Sequence, residues 1–394
     1  MARPQLWDLF ALHPIADALF PYLTLADVYK LRRVCKLLQS VELRLQDTHL
    51  NIHRALKDFF TSCEAFRYNL GRAEALIIGP FVVNFFGYRQ HDIAFLDILV
   101  KRGPLANNLI QYLCAEEAYQ NVESSEAENR VVLSRPGFAA EIRVTKTDKL
   151  PMYTLLECSY TTLDLCFMSW NKLYSMFPLA TLVRHEFWPL QKLDDGFGAH
   201  LVELATQGWT TRHLVWVDLA EERLAGLGTR RVGDESSLVI PLLPALACTG
   251  VAPDYVLELS EFEVNDHSPA HNLLASHRTP RSLSERQTRA YSITAKELKS
   301  QSLRHRYTIA EGSVWSSFVL KRLERWTEVE LYKMDHDDRP ATFPQVRPSS
   351  EFEVPATWDF ADDQMPVWYR RCRSQNDPRR QSSRKQGPLF GIRS

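Results

Sequence analysis

From about Asn51 onward, the pattern of hydrophobic and polar positions changes repeatedly between the short apolar or alternating runs of strands and the three-and-four spacing of helices. Short apolar or alternating runs predict strands at residues 75–88, 92–100, 141–147, 154–160 and 213–219. Apolar residues spaced three and four apart predict helices at residues 51–70, 105–120, 162–177 and 197–209. Strands that alternate with helices favour a mixed α/β layer, so the predicted fold class is α+β.

The first forty-five residues carry a separate pattern. Thr24 and Asp27 have the T-x-x-D spacing of a capping box, which predicts that a helix begins near Leu25. The apolar positions of this helix form one stripe: Val28, Leu31, Val34, Cys35, Leu38 and Val41. A segment of this length cannot bury such a stripe alone, so its partner surface is either the rest of the chain or another protein.

This N-terminal pattern resembles an F-box, the helical module that docks onto the Skp-type adaptor of cullin ubiquitin ligases. The stretch from Asp27 to Lys36 matches the family spacing position by position, whereas the first half has Leu-His-Pro for Leu-Pro and a shorter interval before Leu23. The resemblance implies adaptor contacts at these residues: Pro14, Leu19, Leu23, Asp27, Val28, Leu31, Val34 and Cys35. The alternative is an ordinary helical hairpin packed on its own domain.

The body of the chain resembles the nucleotidyltransferase fold. The order of a helix, a strand ending in Gly79, a helix, a charged turn and a strand with Asp97 follows that family, whose signature is Gly-Ser followed by Asp-x-Asp. Residues 10–335 are also similar to a group of filamentous-fungal proteins of unassigned function, in which such a domain often follows an F-box-like start. The resemblance implies a mixed sheet with packed helices.

The catalytic signature of that family is incomplete in this chain. Its chemistry needs two Mg²⁺ ions held by carboxylates on one face of a strand, and residues i and i+2 share a face. Aligning Asp97 with the second family aspartate places Phe95 at the first, and Pro80 replaces the serine after Gly79. We therefore expect a vestigial, metal-free site. The alternative is a divergent Mg²⁺-dependent enzyme that uses Asp97 with Asp92 or Glu141.

Other candidate motifs are weaker. His267, His271 and His277 lie in a polar, proline-containing stretch without a Cys partner, which favours a solvated loop over a metal site. The glycines of residues 196–201 lack the third position of a dinucleotide fingerprint. Cys158 and Cys166 have no nearby His and are expected to be core thiols. No cofactor is therefore expected.

Composition narrows the class of protein further. The 47 basic and 48 acidic residues nearly cancel, so no global field favours nucleic acid. The 7 scattered cysteines indicate reduced thiols and thus a cytoplasmic or nuclear location. Prolines interrupt residues 236–253, the most apolar segment, so we expect no membrane partner.

These patterns predict four parts of the chain: an F-box-like module (1–46), a catalytically dead nucleotidyltransferase-like domain (47–334), an extended segment packed on the surface (335–369) and a disordered basic tail (370–394). The predicted function is that of a non-enzymatic adaptor, which recruits an unknown protein target to a cullin-type ubiquitin ligase. The alternatives are the divergent nucleotidyltransferase and a stand-alone scaffold whose N-terminal helices pack on its own body.

Overall fold

The computed structural model describes residues 50–376 apart from 88–92, 126–128, 138–139, 210–225, 244–248, 267–290, 341–351 and 353, together with four isolated positions before residue 50. The predicted F-box helices therefore lie outside the described residues apart from those four positions, and Asp27 is the one predicted contact residue among them. Asp92, the predicted strand at 213–219 and the histidines at 267, 271 and 277 also lie outside them.

Helices and strands alternate along the described chain. The helices are α1 (Ile52–Leu56), α2 (Cys63–Arg72), α3 (Pro80–Phe86), α4 (Pro104–Ala115), α5 (Pro151–Cys158), α6 (Asp195–Thr206), α7 (Asp254–Glu258), α8 (Val314–Lys333) and α9 (Met365–Asn376). The strands are β1 (Leu76–Ile78), β2 (Phe95–Lys101), β3 (Gln120–Ser125), β4 (Arg130–Ser134), β5 (Glu141–Thr147), β6 (Cys166–Met168), β7 (Lys172–Ser175), β8 (Gly228–Arg231), β9 (Leu238–Pro241), β10 (Glu261–Asp266), β11 (Tyr291–Thr294), β12 (Lys296–Leu298) and β13 (Tyr307–Ile309). None of the described helices has both the length and the apolar character needed to cross a membrane.

Eight strands form the central sheet in the order β3-β4-β5-β2-β1-β6-β7-β9. Strands β2 and β5 run parallel, whereas β1 lies antiparallel to β2. In this register Asp97 lies beside Ile78 on one side and Arg143 on the other, and Phe95 lies beside Glu141. Helices packed on a mixed sheet confirm the predicted α+β class.

Both faces of the central sheet are buried, which fits the nearly continuous apolar run of β2. Leu96, Ile98 and Val100 point to a core that helices α1 to α4 cover. Leu99 points to the opposite face, where the core is completed by α5 and by the three-stranded sheet β11-β10-β8. Each of these aliphatic side chains contributes about 1.5–3 kcal/mol by leaving water.

The last described segment belongs to the folded body. Trp368 is buried in a core shared with α8, and Trp358 is also buried, so this segment is not merely packed on the surface as predicted. The predicted boundary at residue 369 falls inside α9, which continues to Asn376. The apolar residues Met365, Trp368 and Cys372 recur at steps of three and four, so they form one buried helical face that prolongs the helix beyond the proline-rich region.

Two predicted elements have the opposite secondary structure, and the strand predicted at residues 75–88 is strand only in β1, because Pro80 at the first helical position begins α3. Residues 154–160, predicted as a strand, lie mostly in α5, because Pro151 occupies the first turn, where its missing N–H and fixed φ favour helix initiation. Residues 162–177, predicted as a helix, contain the hairpin of β6 and β7. Residues 162–177 are mostly buried, so their apolar run carries no period that would distinguish a helix from a central strand.

Candidate functional site

The end of β1 and the start of α3 meet the side chain of Asp97. Gly79 has φ +77°, and a Cβ atom placed there would lie 3.0 Å from Asp97 Oδ2. Glycine is therefore required both by the backbone conformation and by this close approach. Pro80 follows at the first helical position and offers no N–H group. The structure thus brings together Gly79, Pro80 and Asp97, as the sequence predicted.

Phe95 lies on the same face of β2 as Asp97, two positions earlier. The guanidinium of Arg143 lies over its ring, with the Arg143 Cζ atom 3.4 Å from the ring centroid. Nε of the same arginine lies 3.9 Å from Glu141 Oε2. A stacked cation is therefore present beside the position at which the family resemblance implies a metal-binding carboxylate.

The environment of Asp97 disfavours its charged form. Burial raises the pKa of Asp97 to about 6, a change that the positive charges of Arg143 and Arg130 oppose and that Glu203 reinforces. No hydrogen bond or ion pair reaches its carboxylate from the described residues. At neutral pH, Asp97 is a mostly ionised carboxylate with no direct partner among those residues.

A cavity of about 260 Å³ opens beside Asp97 between β1, β2, α5 and α6. Much of its wall is apolar: Ile78, Pro80, Val83, Leu99, Leu155, Leu163 and Leu204. Its polar lining comes from Asp97 on β2, from the loop after α5 and from one face of α6. An apolar cleft with a few convergent polar groups is the usual form of a small-ligand site.

The same cleft is lined by an acid and histidine cluster that close ion-pair contacts hold together. Nε2 of His200 lies 2.8 Å from Asp164 Oδ1, and Nδ1 lies 3.8 Å from Glu203 Oε2. Thr161 orients Asp164 by donating to Oδ2 from its backbone N–H at 2.8 Å and from its hydroxyl at 3.1 Å. The ring of Tyr160 stacks on that of His200, with centroids 5.5 Å apart.

The two carboxylates keep this histidine protonated at neutral pH. Burial lowers the pKa of His200, but the interactions with Asp164 and then Glu203 outweigh it and raise that pKa to about 9. The ion-pair contact with His200 lowers the pKa of Glu203 in return. Sequence reasoning missed this cluster, because Asp164 and His200 are far apart in the chain and residues 162–177 were assigned to a helix.

Of the residues that the alternative enzyme would use, Asp97 and Glu141 are described, and they belong to no metal centre among the described residues. Across residues 50–376, with the gaps given above, no group of three or more His, Cys, Asp or Glu side chains is arranged to hold a metal ion. The side chain of Glu141 is 42% exposed and faces Arg143. The carboxylate that sequence reasoning offered as a third ligand therefore has a cation as its neighbour.

The two cysteines singled out in the sequence differ in environment. Cys166 is buried as predicted, and burial raises the pKa of its thiol to about 12. Cys158 is exposed at the edge of the cleft, so its assignment to the core was wrong. It lies at the end of α5, whose buried residues come earlier, at Met152, Leu155 and Leu156. Partial burial also raises the pKa of Cys158, which disfavours the nucleophilic thiolate.

Comparisons with known proteins gave no relative. No family model matches the chain, no curated protein matches it, and no solved structure matches it. The arrangement of the cleft itself is therefore what bears on function.

Proposed function

We propose that this chain is a non-enzymatic, F-box-like adaptor. Its N-terminal helices contact a Skp-type adaptor of a cullin ubiquitin ligase, and its nucleotidyltransferase-like body presents the surface that recruits a protein target. The observation that best supports the non-enzymatic part is the stacking of Arg143 on Phe95 beside Asp97.

That observation counts against two-metal chemistry for an electrostatic reason. Two Mg²⁺ ions need several oxygen ligands and a surplus of negative charge. Here one ligand position is a phenyl ring, and the neighbouring strand contributes the cation of Arg143. Pro80 lacks the N–H that a phosphate oxygen would accept from a serine at that position. Each of these changes weakens a different part of the reaction.

The adaptor part is supported by residue spacing in the sequence. The apolar stripe through Val28, Leu31 and Val34 needs a partner, and its match to the F-box extends from Asp27 to Lys36. Most of these residues lie outside the described part of the chain. The adaptor contact is therefore a prediction from sequence, which an experiment on the full chain can test directly.

The test is binding of the full chain to a purified Skp-type adaptor, measured by isothermal titration calorimetry. Val28→Glu should weaken binding at least tenfold, because a charged side chain would replace an apolar contact. The matched control is Val329→Glu, which places the same charge on the exposed side of α8, where Val329 is 44% exposed. No binding by the wild type, or equal binding by both variants, would reject the adaptor role.

The divergent nucleotidyltransferase remains the second candidate, favoured by the contact between Gly79 and Asp97. It predicts nucleotide binding that requires millimolar Mg²⁺ and is abolished by Asp97→Ala. If titration of the four nucleoside triphosphates with Mg²⁺ produces no saturable signal, this candidate is rejected. The scaffold alternative instead predicts that Val28 and Leu31 are protected from solvent exchange without any partner.

A further inference from the structure

We propose that the cleft beside Asp97 binds a small organic cation, a primary ammonium or guanidinium group carried on an apolar body, with the Asp97 carboxylate as its counter-ion. This binding site is distinct from the adaptor contact. The described residues that line it all lie between Ile78 and Gln207, and it differs in ligand charge from a site for nucleotide phosphates.

The charged groups that line the cleft favour a cation. Three carboxylates face it, those of Asp97, Asp164 and Glu203, against the single positive charge of His200. His200 already lies between two of these carboxylates. No Lys or Arg belongs to the part of the wall that the described residues form. A phosphate or carboxylate ligand would therefore meet net negative charge.

Among the described residues that line the cleft, Asp97 is the carboxylate without a direct partner. Neither of the arginines whose charge reaches it lines the cavity, and Arg143 is stacked on Phe95. Its carboxylate lies against Gly79, where no side chain separates it from the backbone. A partly buried carboxylate without a hydrogen-bonding partner is unfavourable. A ligand that donates N–H groups to it therefore gains more binding free energy than it would by donating to a solvated acid.

The walls set the form of the rest of the ligand. Aliphatic side chains from β1, α3, α5 and α6 surround the carboxylate, so the body that carries the cation should be apolar. The volume of about 260 Å³ suits a body of one ring or a short branched chain. The ring of Tyr160 lies at the same wall and can contact either a cation or an apolar group.

Saturation-transfer NMR on the full chain at pH 7.5 tests the site with three probes of similar shape. Cyclohexylmethylammonium should bind at least tenfold more tightly than cyclohexylmethanol or cyclohexanecarboxylate. In Asp97→Asn, which keeps the shape of the side chain, the ammonium probe should lose at least tenfold in affinity. Glu311→Gln, a control in which the altered side chain is 76% exposed, should leave the affinity unchanged.

Several outcomes would overturn the proposal. They are equal binding of the cationic and anionic probes, unchanged affinity in Asp97→Asn, and no binding by any probe. Saturable Mg²⁺-nucleotide binding that depends on Asp97 and displaces the ammonium probe would also overturn it in favour of the enzyme. Circular dichroism confirms that each variant is folded. Adaptor binding is measured separately with Val28→Glu, so failure of one proposal does not decide the other.

Discussion

Replacing Asp97 by Asn should stabilise the free protein at neutral pH. In the folded state the pKa of Asp97 rises from its ordinary value of 3.8 to about 6, chiefly through burial. The folded protein therefore holds the proton more tightly than the unfolded chain does. Below about pH 4 the group is neutral in both states and costs nothing. Between about pH 4 and 6 the cost grows, and above pH 6 it is fully present.

The size of the effect follows from the same shift. Two pKa units correspond to about 3 kcal/mol, since one unit is worth 1.36 kcal/mol. The amide of Asn must also leave water, although it carries no charge, so the net gain expected above pH 6.5 is about 1–3 kcal/mol. The gain should shrink toward zero, or become a small loss, as the pH falls toward 4.

Urea unfolding of the wild type and the variant, followed by circular dichroism from pH 4.5 to 8, measures this difference. Glu311→Gln serves as the control and should show no such pH dependence. The reasoning about Asp97 is refuted if the variant is less stable than the wild type at pH 7.5, or if the difference between them is the same at every pH. Addition of the ammonium probe should raise the unfolding midpoint of the wild type alone.

Three further predictions concern neighbouring groups. Gly79→Ala should lower the free energy of unfolding by about 1–3 kcal/mol in urea unfolding, because its Cβ would be strained at φ +77° and would lie 3.0 Å from Asp97 Oδ2. Gly198→Ala in α6 is the control and should not lower this free energy, because nothing lies within 4 Å of the added carbon. Arg143→Met should raise the pKa of Asp97 above about 6, because a positive charge that lowers it is removed; carboxyl ¹³C NMR titration measures this. His200→Gln should lower the free energy of unfolding by about 1–2 kcal/mol at pH 6, and by progressively less as the pH rises toward about 9, the pKa of the folded histidine. An equal decrease at pH 6 and at pH 9.5 would contradict the ion pairs.

The sequence predicted those parts of the fold in which periodicity was clear. The helices at 105–120 and 197–209 correspond to α4 and α6, and the strand at 141–147 corresponds to β5. Period-based reasoning was wrong at residues 162–177, which are mostly buried, so that no period separates strand from helix. It was also wrong at residues 154–160, where the helix α5 exposes Glu157 and Cys158. There a proline at a helix start and a turn between two short strands decided the structure.

The same limit explains which part of the cleft could be anticipated. Gly79 and Asp97 are adjacent because two neighbouring strands bring them together, and the order of elements was sufficient to predict that. The stacking of Arg143 on Phe95 depends on the parallel register of β2 and β5, which sequence alone did not fix. Asp164 and His200 meet through packing of α6 against the loop after α5, a long-range contact without a local signal.

The stacking of Arg143 on Phe95 bears both on metal binding and on the proposed cationic ligand. In a two-metal site, cations neutralise the carboxylates of the strand, so each acid is compensated by the ion that it binds. Here Phe95 lies two positions before Asp97, and the cation of Arg143 stacks on its ring, a contact worth about 0.5–2 kcal/mol. Asp97 is left with a destabilising, partly buried charge. A protein surface elsewhere on the body would not relieve that cost, whereas an N–H donor bound in the cleft would. The proposed binding of a small cation can therefore be tested through Asp97, independently of the proposed adaptor contact, which is tested through Val28.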